Sequence, residues 1–182
     1  MKITQTELPG VLIIEPTVHR DARGFFVESY HADRYSAVPG LEQPFVQDNQ
    51  SRSTRGVLRG IHAQKQQPQG KLARVSFGCV FDVAVDIDPQ SATFGTWVGC
   101  ELSDENQRQL WIPPGYGHAF LVLSEMADFQ YKCTDFYAPH DEIGVLWNDP
   151  DIGIEWPISD PVVSDKDARL PSLAALRNVS GS

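Results

Sequence analysis

The stretch that decides the fold reads Arg55-Gly56-Val57-Leu58-Arg59-Gly60-Ile61-His62 and continues through Gly70-Lys71 to Ile87. It opens on a glycine-marked turn, enters a short apolar strand, and brings Arg59, His62 and Lys71 close together in sequence. Residues 81–87 then alternate apolar with polar or small side chains, which is the period of a half-buried strand. A guanidinium, an imidazole and an ammonium near one hairpin predict a site that binds an anion and moves a proton.

Each of these three basic side chains also has a purely structural interpretation. Arg59 and Lys71 alone are typical of solvated surface charges, because charged side chains mostly lie outside. His62 alone is typical of a strand histidine whose hydrogen bonds are satisfied within the fold. Other parts of the sequence are needed to distinguish a functional site from ordinary surface and core residues at these three positions.

The composition limits the class of protein. The chain has 182 residues, of which 41% are hydrophobic and 21% charged, and this predicts one globular domain with a substantial core. Its formal net charge of −9 argues against a nucleic-acid binder and against binding to an anionic membrane. A local cluster of Arg and Lys can still hold a phosphate within an acidic protein.

The cysteines and the absence of apolar runs predict a cytoplasmic location. Cys79, Cys100 and Cys133 are widely spaced, odd in number and placed in strand-like runs, which is typical of buried thiols in a reducing compartment. No basic start leads into an apolar stretch, and no run approaches 18 apolar residues. We therefore expect neither a signal peptide nor a membrane span.

Short β-rich runs separated by glycine and proline predict an antiparallel sandwich or barrel. Arg20–Gly24 is expected to form a turn, and His31–Val38 a short helix that Pro39-Gly40 ends. Residues 1–171 are predicted to form the domain and residues 172–182 a weakly ordered tail, in which residues 174–176 suit a helical turn. The main predicted strands are Val11–Ile14, Phe25–Tyr30, Phe45–Asn49, Lys71–Phe77, Thr96–Leu102, His118–Leu123 and Asp128–Asp135.

Two partial motifs make the fold prediction more specific. Gly56 followed six residues later by His62 matches the start of the first cupin motif, and Pro113-x-Gly115-x-x-His118 matches the middle of the second. Cupins are small jelly rolls, so the predicted fold is an all-β, cupin-type antiparallel jelly roll with a few short helices. Metal-binding cupins need a second His where Gln64 stands, and a Glu where this chain has Pro68-Gln69.

The missing ligands predict that no metal is bound, and we expect no other cofactor. A tight divalent site needs three or four nitrogen or oxygen ligands from the protein, and only His62 and His118 remain here. Both histidines are then free for acid–base chemistry, which imidazole performs well near neutral pH.

From about Gly10 to Pro171 the sequence resembles the dTDP-4-dehydrorhamnose 3,5-epimerases, which are metal-free cupins. The departures lie at Ala63, Tyr116-Gly117-His118-Ala119-Phe120 and Phe136, and they bear on the shape of the pocket more than on its chemistry. The blocks that carry the resemblance are residues 56–62, 69–72, 80–86, 93–95, 108–113, 120–124, 137–139, 147–150, 156–157 and 164–167.

The resemblance implies a substrate and a reaction. The substrate would be dTDP-4-dehydro-6-deoxy-D-glucose, in which the ketone makes the protons on carbons 3 and 5 acidic. Inversion of both carbons would give dTDP-4-dehydro-L-rhamnose, and it needs a base, a proton donor on the opposite face and a group that stabilises the enolate. The alternatives are an epimerase for one centre or for a related nucleotide keto sugar, a metal-dependent cupin oxygenase, and a non-catalytic sugar-binding jelly roll.

The resemblance also assigns catalytic roles. His62 is the expected base and Tyr131 the expected donor, while Lys71 is expected to face the ketone oxygen. The family pattern puts Asp167 next to His62 as the carboxylate that fixes its tautomer. From the residues alone, Asp165 and Asp167 are equally good candidates for that task.

The remaining expected contacts bind the nucleotide sugar, with Tyr137 stacking on thymine. We also expect a homodimer, in which the N-terminal strands carrying Arg23, Phe26 and Glu28 complete the pocket of the partner. The full predicted substrate-binding set is Arg23, Phe26, Glu28, Gln47, Asp48, Asn49, Arg59, Lys71, His118, Tyr137, Glu142 and Lys166.

One feature of the central strand conflicts with a single pocket. Strict alternation places Arg59 and His62 on opposite faces of the strand. Both side chains can reach one pocket only if the strand is bulged or bent, and Gly60 is the natural place for this. We therefore predict an irregularity at Gly60.

Overall fold

The computed structural model describes residues 1–179, and they form a jelly roll of two antiparallel sheets, as predicted. The six-stranded sheet has the order β1 (Lys2–Gln5), β2 (Leu12–Glu15), β10 (Gln109–Ile112), β7 (Lys71–Phe77), β12 (Met126–Cys133) and β5 (Gln47–Thr54). The five-stranded sheet has the order β13 (Glu142–Gly144), β6 (Leu58–Gln64), β11 (Tyr116–Val122), β8 (Cys79–Asp86) and β9 (Trp97–Ser103).

The core lies between the two sheets because their strands alternate as the sequence predicts. Ala73 and Val75 of β7 pack with Phe129 of β12 and with Val80 and Ala84 of the facing sheet. Burial of this apolar face is the main force that closes the jelly roll.

The other face of β7 is covered by the N-terminal part of the chain. Leu72 packs against Trp111 and against Tyr35, which lies on the short helix α1 (Ala32–Ser36). This helix falls within the predicted range His31–Val38. It holds residues 29–45 against the outside of the six-stranded sheet.

An N-terminal hairpin, β3 (Val18–Asp21) with β4 (Gly24–Val27), pairs with neither sheet within residues 1–179. The predicted turn Arg20–Gly24 is therefore shorter than expected, because Arg20 and Asp21 belong to β3. The predicted strand Phe25–Tyr30 ends at Val27. Phe25 and Phe26 are 48% and 69% exposed on this hairpin, so it presents an apolar surface to solvent.

The predicted tail begins with a helix, α2 (Leu173–Val179). Leu173 is buried in a cluster with Val83 and Val85, and its amide donates to the Asp149 carboxylate at 2.9 Å. The start of the tail therefore packs as part of the domain. Residues 180–182 lie outside the described residues.

None of the helices in the described part of the chain has the length and apolar character needed to cross a membrane.

The predicted irregularity at Gly60 is confirmed. The pairing of β6 with β11 shifts register between the pairs His62–His118 and Arg59–Phe120. Gly60 has a φ of +118°, and a Cβ atom there would lie 2.5 Å from the carbonyl oxygen of His118. Only glycine meets both conditions without a shift of the neighbouring strand.

Candidate active site

A cavity of about 650 Å³ opens between the two sheets and collects most of the predicted site residues. Its volume is in the range of small-molecule sites. The irregularity at Gly60 allows Arg59 and His62 of the same strand to line it together. The predicted residues that line it are Asn49, Arg59, His62, Lys71, His118, Tyr131, Lys166 and Asp167.

His62 lies on β6 and is held by a carboxylate from a distant part of the chain. Its Nε2 is 2.7 Å from Oδ1 of Asp167, which begins a 3₁₀ turn, Asp167–Arg169. The other oxygen of Asp167 accepts the Gly60 amide at 3.3 Å, and the carboxylate is almost fully buried. Asp165 is exposed, so the geometry selects Asp167 between the two candidate carboxylates.

His118 lies opposite His62 on β11 and is held by a second carboxylate. Its Nε2 is 2.7 Å from Oδ1 of Asp82, and the ring stacks on Phe129 at 5.7 Å between centroids. Burial lowers the pKa of His118, although the Asp82 carboxylate acts in the opposite direction. The ring is therefore kept mainly neutral at neutral pH.

Sequence reasoning missed Asp82. The signal was present, because Asp82 alternates with Val80 and Ala84, and both of these face the core. A carboxylate on the apolar face of a strand needs a partner, and such a residue is a candidate site residue.

Lys71 and Tyr131 lie side by side on the six-stranded sheet, across the cavity from His62. The Lys71 Nζ is 6.0 Å from the centroid of the Tyr131 ring. Burial lowers the pKa of Lys71, while Cys133, Asp82 and Glu142 raise it. Within residues 1–179 the ammonium has neither a hydrogen-bond partner nor an ion pair. Burial also raises the pKa of Tyr131, which keeps the phenol protonated.

Arg59 reaches the cavity from β6 and is the guanidinium that lines it. Its Nε and Nη2 donate to Ser53 Oγ at 3.2 and 3.1 Å. No carboxylate pairs with this side chain in the described part of the chain, so its positive charge is available to an anion.

A hydrogen-bonded network, which we call the rim, continues from the lining residues Asn49 and Lys166 to Gln47, Tyr137 and Glu142, which do not line the cavity themselves. Gln47 donates to Asn49 at 3.0 Å and accepts the Tyr137 amide at 2.9 Å. The Tyr137 hydroxyl and the Lys166 ammonium both donate to Glu142, at 2.8 and 2.6 Å. Burial raises the pKa of Glu142, but the hydrogen bonds from Lys166 and Tyr137 outweigh it and leave that pKa below its ordinary value.

Four other predicted binding residues lie away from both the cavity and its rim. Arg23 is bound to Asp21 on the exposed hairpin, where Phe26 also lies, and Glu28 pairs with Arg34. Asp48 alternates with Gln47 and Asn49, so it points to the outer face of the sheet. There it accepts two hydrogen bonds from Lys132.

Gln64, which occupies the position of a cupin metal ligand, forms hydrogen bonds to two loop segments. Its amide oxygen accepts the Ala138 amide at 2.9 Å, and its nitrogen donates to the carbonyls of Gln67 and Phe136. Residues 1–179 contain no group of three or more His, Cys, Asp or Glu side chains placed to hold a metal ion.

The chain is similar to known proteins in sequence and in fold. A protein-family model described as dTDP-4-dehydrorhamnose 3,5-epimerase matches residues 5–175. The dTDP-4-dehydrorhamnose 3,5-epimerase of Pseudomonas aeruginosa is 55% identical over 168 residues, which cover 92% of this chain and 93% of that protein. The enzyme of the same name from Salmonella typhimurium is 54% identical over 175 residues, covering 95% and 96%.

The fold also matches a solved structure. The crystal structure of dTDP-6-deoxy-D-glucose-3,5-epimerase from Legionella pneumophila, in complex with dTDP-4-keto-L-rhamnose, has a TM-score of 0.92 and 52% identity. The match covers 96% of each chain. Family model, sequence and fold agree over almost the whole length, and the chain belongs to the dTDP-4-dehydrorhamnose 3,5-epimerase family.

Proposed function

We propose that this protein is an epimerase that inverts carbons 3 and 5 of dTDP-4-dehydro-6-deoxy-D-glucose, giving dTDP-4-dehydro-L-rhamnose. The observation that carries the proposal is one cavity with an imidazole–carboxylate pair on one sheet and a phenol on the other. The relatives at 54–55% identity bear this activity in their names. The Legionella structure holds dTDP-4-keto-L-rhamnose.

His62 is the proposed base. Asp167 accepts a hydrogen bond from Nε2, which fixes the neutral tautomer and leaves the lone pair on Nδ1. A base of this kind can remove the acidic proton next to the ketone of the substrate. The hydrogen bond to Asp167 then stabilises the imidazolium that forms.

Tyr131 is the proposed donor. It lies on β12 of the six-stranded sheet, whereas His62 lies on β6 of the five-stranded sheet. A proton removed from one side of the sugar ring and returned from the other inverts the carbon. The raised pKa of the phenol supports this role, because the proton is present on the hydroxyl when the enolate forms.

Lys71 is proposed to stabilise the enolate. Its ammonium is buried without a direct counter-ion among the described residues, so a negative charge that develops beside it is strongly favoured. His118, fixed by Asp82, lies next to the same space and offers a second polar contact.

The dTDP part is proposed to bind at the rim. Arg59 suits the pyrophosphate, because a guanidinium can form two parallel hydrogen bonds to phosphate oxygens. Lys166 and Asn49 extend the polar surface, and Tyr137 at 51% exposure offers a flat ring for thymine. Gln47 and Glu142 hold these groups in place.

A homodimer is proposed to complete the site. One edge of the six-stranded sheet is β5, a strand of eight residues, and such an edge readily accepts a strand from another chain. The hairpin of β3 and β4 pairs with neither sheet of its own chain within the described range and exposes Phe26. Docking of that hairpin near β5 of the partner would bring Arg23, Phe26 and Glu28 close to the partner's cavity.

Mixed dimers test this arrangement. Arg23→Ala and His62→Asn should each be weakly active alone, but mixing them should create dimers with one intact pocket and restore activity. If Arg23 acts within its own chain, or if the protein is a monomer by sedimentation, mixing restores nothing.

A cytoplasmic location is part of the same proposal, since Cys79, Cys100 and Cys133 are free thiols.

Turnover of dTDP-4-dehydro-6-deoxy-D-glucose in deuterated water tests the function itself. Deuterium at both carbon 3 and carbon 5 of a rhamno-configured product supports the proposal. Label at one carbon only assigns the protein to the single-centre epimerases. Turnover that stops with chelator assigns it to metal-dependent cupins, and binding without turnover to sugar-binding jelly rolls.

A further inference from the structure

Strand β7 carries two cations that face opposite sides of the six-stranded sheet. Lys71 faces the active-site cavity, and Arg74, three residues later, faces outward. Burial lowers the pKa of both side chains. Neither has a hydrogen bond or an ion pair to any residue between 1 and 179. The proposed reaction gives a role to Lys71, but it gives none to Arg74.

Arg74 lies in a separate cleft of about 400 Å³ on the outside of the sheet. Ser29, Leu72, Gln109 and Lys132 are among the residues that line this cleft. The two cavities lie on either side of strands β5 and β12 and have only Asn49, Gln50 and Tyr131 in common. A ligand in the outer cleft would therefore not occupy the space of the substrate.

The other polar side chains around Arg74 form hydrogen bonds with one another. Lys132 donates to both carboxylate oxygens of Asp48, at 2.9 and 3.0 Å. Gln130 donates to Gln50 at 3.1 Å. Because Lys132 and Asp48 neutralise each other, the net charge of the cleft comes from Arg74.

Gln109 closes the deep side of the cleft without offering Arg74 an acceptor. Its amide nitrogen donates to the Ser29 carbonyl at 2.8 Å, and its oxygen accepts the Tyr35 hydroxyl at 2.9 Å. Arg74 thus presents up to five N–H donors, half-buried, in a space large enough for a small molecule.

We propose that this outer cleft is a second ligand site, which binds the carboxylate or phosphate group of a small molecule through paired hydrogen bonds from Arg74. A planar guanidinium matches two oxygens of such a group. A half-buried cation without a counter-ion gains more from an anion than an exposed one does, because the ligand replaces water that the cleft already restricts. The side-chain amides of Gln50 and Gln130 lie beside the site, and the donors and lone pairs that their mutual hydrogen bond leaves unused suit hydroxyl or carbonyl groups of the same ligand.

Side-chain NMR of the full-length protein tests this proposal at the arginine itself. The Nε–H signal of Arg74 is assigned by its loss in Arg74→Lys, and inorganic phosphate and succinate are titrated separately. Arg55 is the matched control, because it is exposed and unpaired among the described residues. The Arg74 signal should shift and saturate with at least one anion, whereas that of Arg55 should drift without saturating. Saturation with phosphate alone or succinate alone identifies the chemical class.

A second variant guards against misfolding. Arg74→Gln should turn over substrate within about two-fold of the wild type, since Arg74 does not touch the active-site cavity. Failure of the Arg74 signal to saturate with either anion overturns the proposal. So does dissociation of a dimer by Arg74→Gln, because the cleft would then be a contact with the partner. These outcomes do not depend on the identity of the epimerase substrate.

Discussion

The two imidazole–carboxylate pairs of this protein have the same contact and different surroundings. His62 with Asp167 and His118 with Asp82 both have a distance of 2.7 Å between Nε2 and Oδ1, on paired residues of neighbouring strands. The His62 side chain is 30% exposed to the cavity, whereas that of His118 is 7% exposed and stacked on Phe129.

The difference shows that the exposure of the imidazole ring, and not its contact with a carboxylate, decides whether the ring can exchange a proton. A ring open to the cavity can exchange a proton with a ligand, as proposed for His62. A buried ring resists protonation, since burial penalises its charged form, and His118 is therefore suited to a fixed polar contact.

The largest effect is expected from His62→Asn. Loss of the proposed base should lower kcat by about 10²–10⁴-fold, the usual contribution of a general base. His118→Asn should lower kcat less, because the buried ring does not accept the proton. Steady-state kinetics of both variants measure the ratio. Equal losses would contradict the division of roles between the two pairs.

Removal of the orienting carboxylate should have a smaller effect. Asp167→Asn leaves the shape of the site unchanged but allows the wrong tautomer of His62, and we expect a loss in kcat of about 10–100-fold. Asp165→Asn is the matched control, as it is an exposed carboxylate two residues away, and it should have no effect. If the two variants lose activity equally, Asp167 does not act through His62.

The second pair should matter more for stability. Asp82→Ala leaves the buried Nε2–H of His118 without an acceptor, which should lower the free energy of unfolding by about 1–3 kcal/mol. Asp167→Ala should cost about 0.5–1.5 kcal/mol, because His62 can turn to water instead and the Gly60 amide loses only a long hydrogen bond of 3.3 Å. Urea unfolding compares the variants. A greater loss for Asp167→Ala would reverse the comparison.

The pH dependence of stability should follow His118. In the unfolded chain its imidazole takes up a proton below a pKa of about 6.5, and in the folded chain burial lowers that pKa. The unfolded state therefore binds more protons, and stability from this residue is lost as the pH falls below about 6.5. His118→Phe should flatten the decline in unfolding free energy between pH 7.5 and pH 5. An unchanged slope would show that other groups cause it.

Strand periodicity predicted much of the fold and part of the site. The alternation in residues 71–77 gave the inner and outer faces of β7, and the conflict between Arg59 and His62 located the irregularity at Gly60. The same rule, applied to Asp48 between Gln47 and Asn49, places it on the outer face, although family resemblance had put it in the substrate-binding set.

Other features depend on contacts that no local pattern contains. His62 and Asp167 are 105 positions apart, so residue types alone could not choose between Asp165 and Asp167. The contact exists only because the 3₁₀ turn packs beneath β6. The sequence could not single out Arg74 for the same reason, because its lack of a partner among the described residues is a property of the folded surface.

The central claim is that a base and an acid face each other across one cavity, and proton exchange tests it most directly. With dTDP-4-dehydro-6-deoxy-D-glucose in deuterated water, Tyr131→Phe should still exchange the protons next to the ketone but no longer invert the carbons, because His62 returns the proton from its own side. His62→Asn should lose both exchange and inversion. Inversion by Tyr131→Phe at the wild-type rate, or exchange by His62→Asn at that rate, would contradict the account.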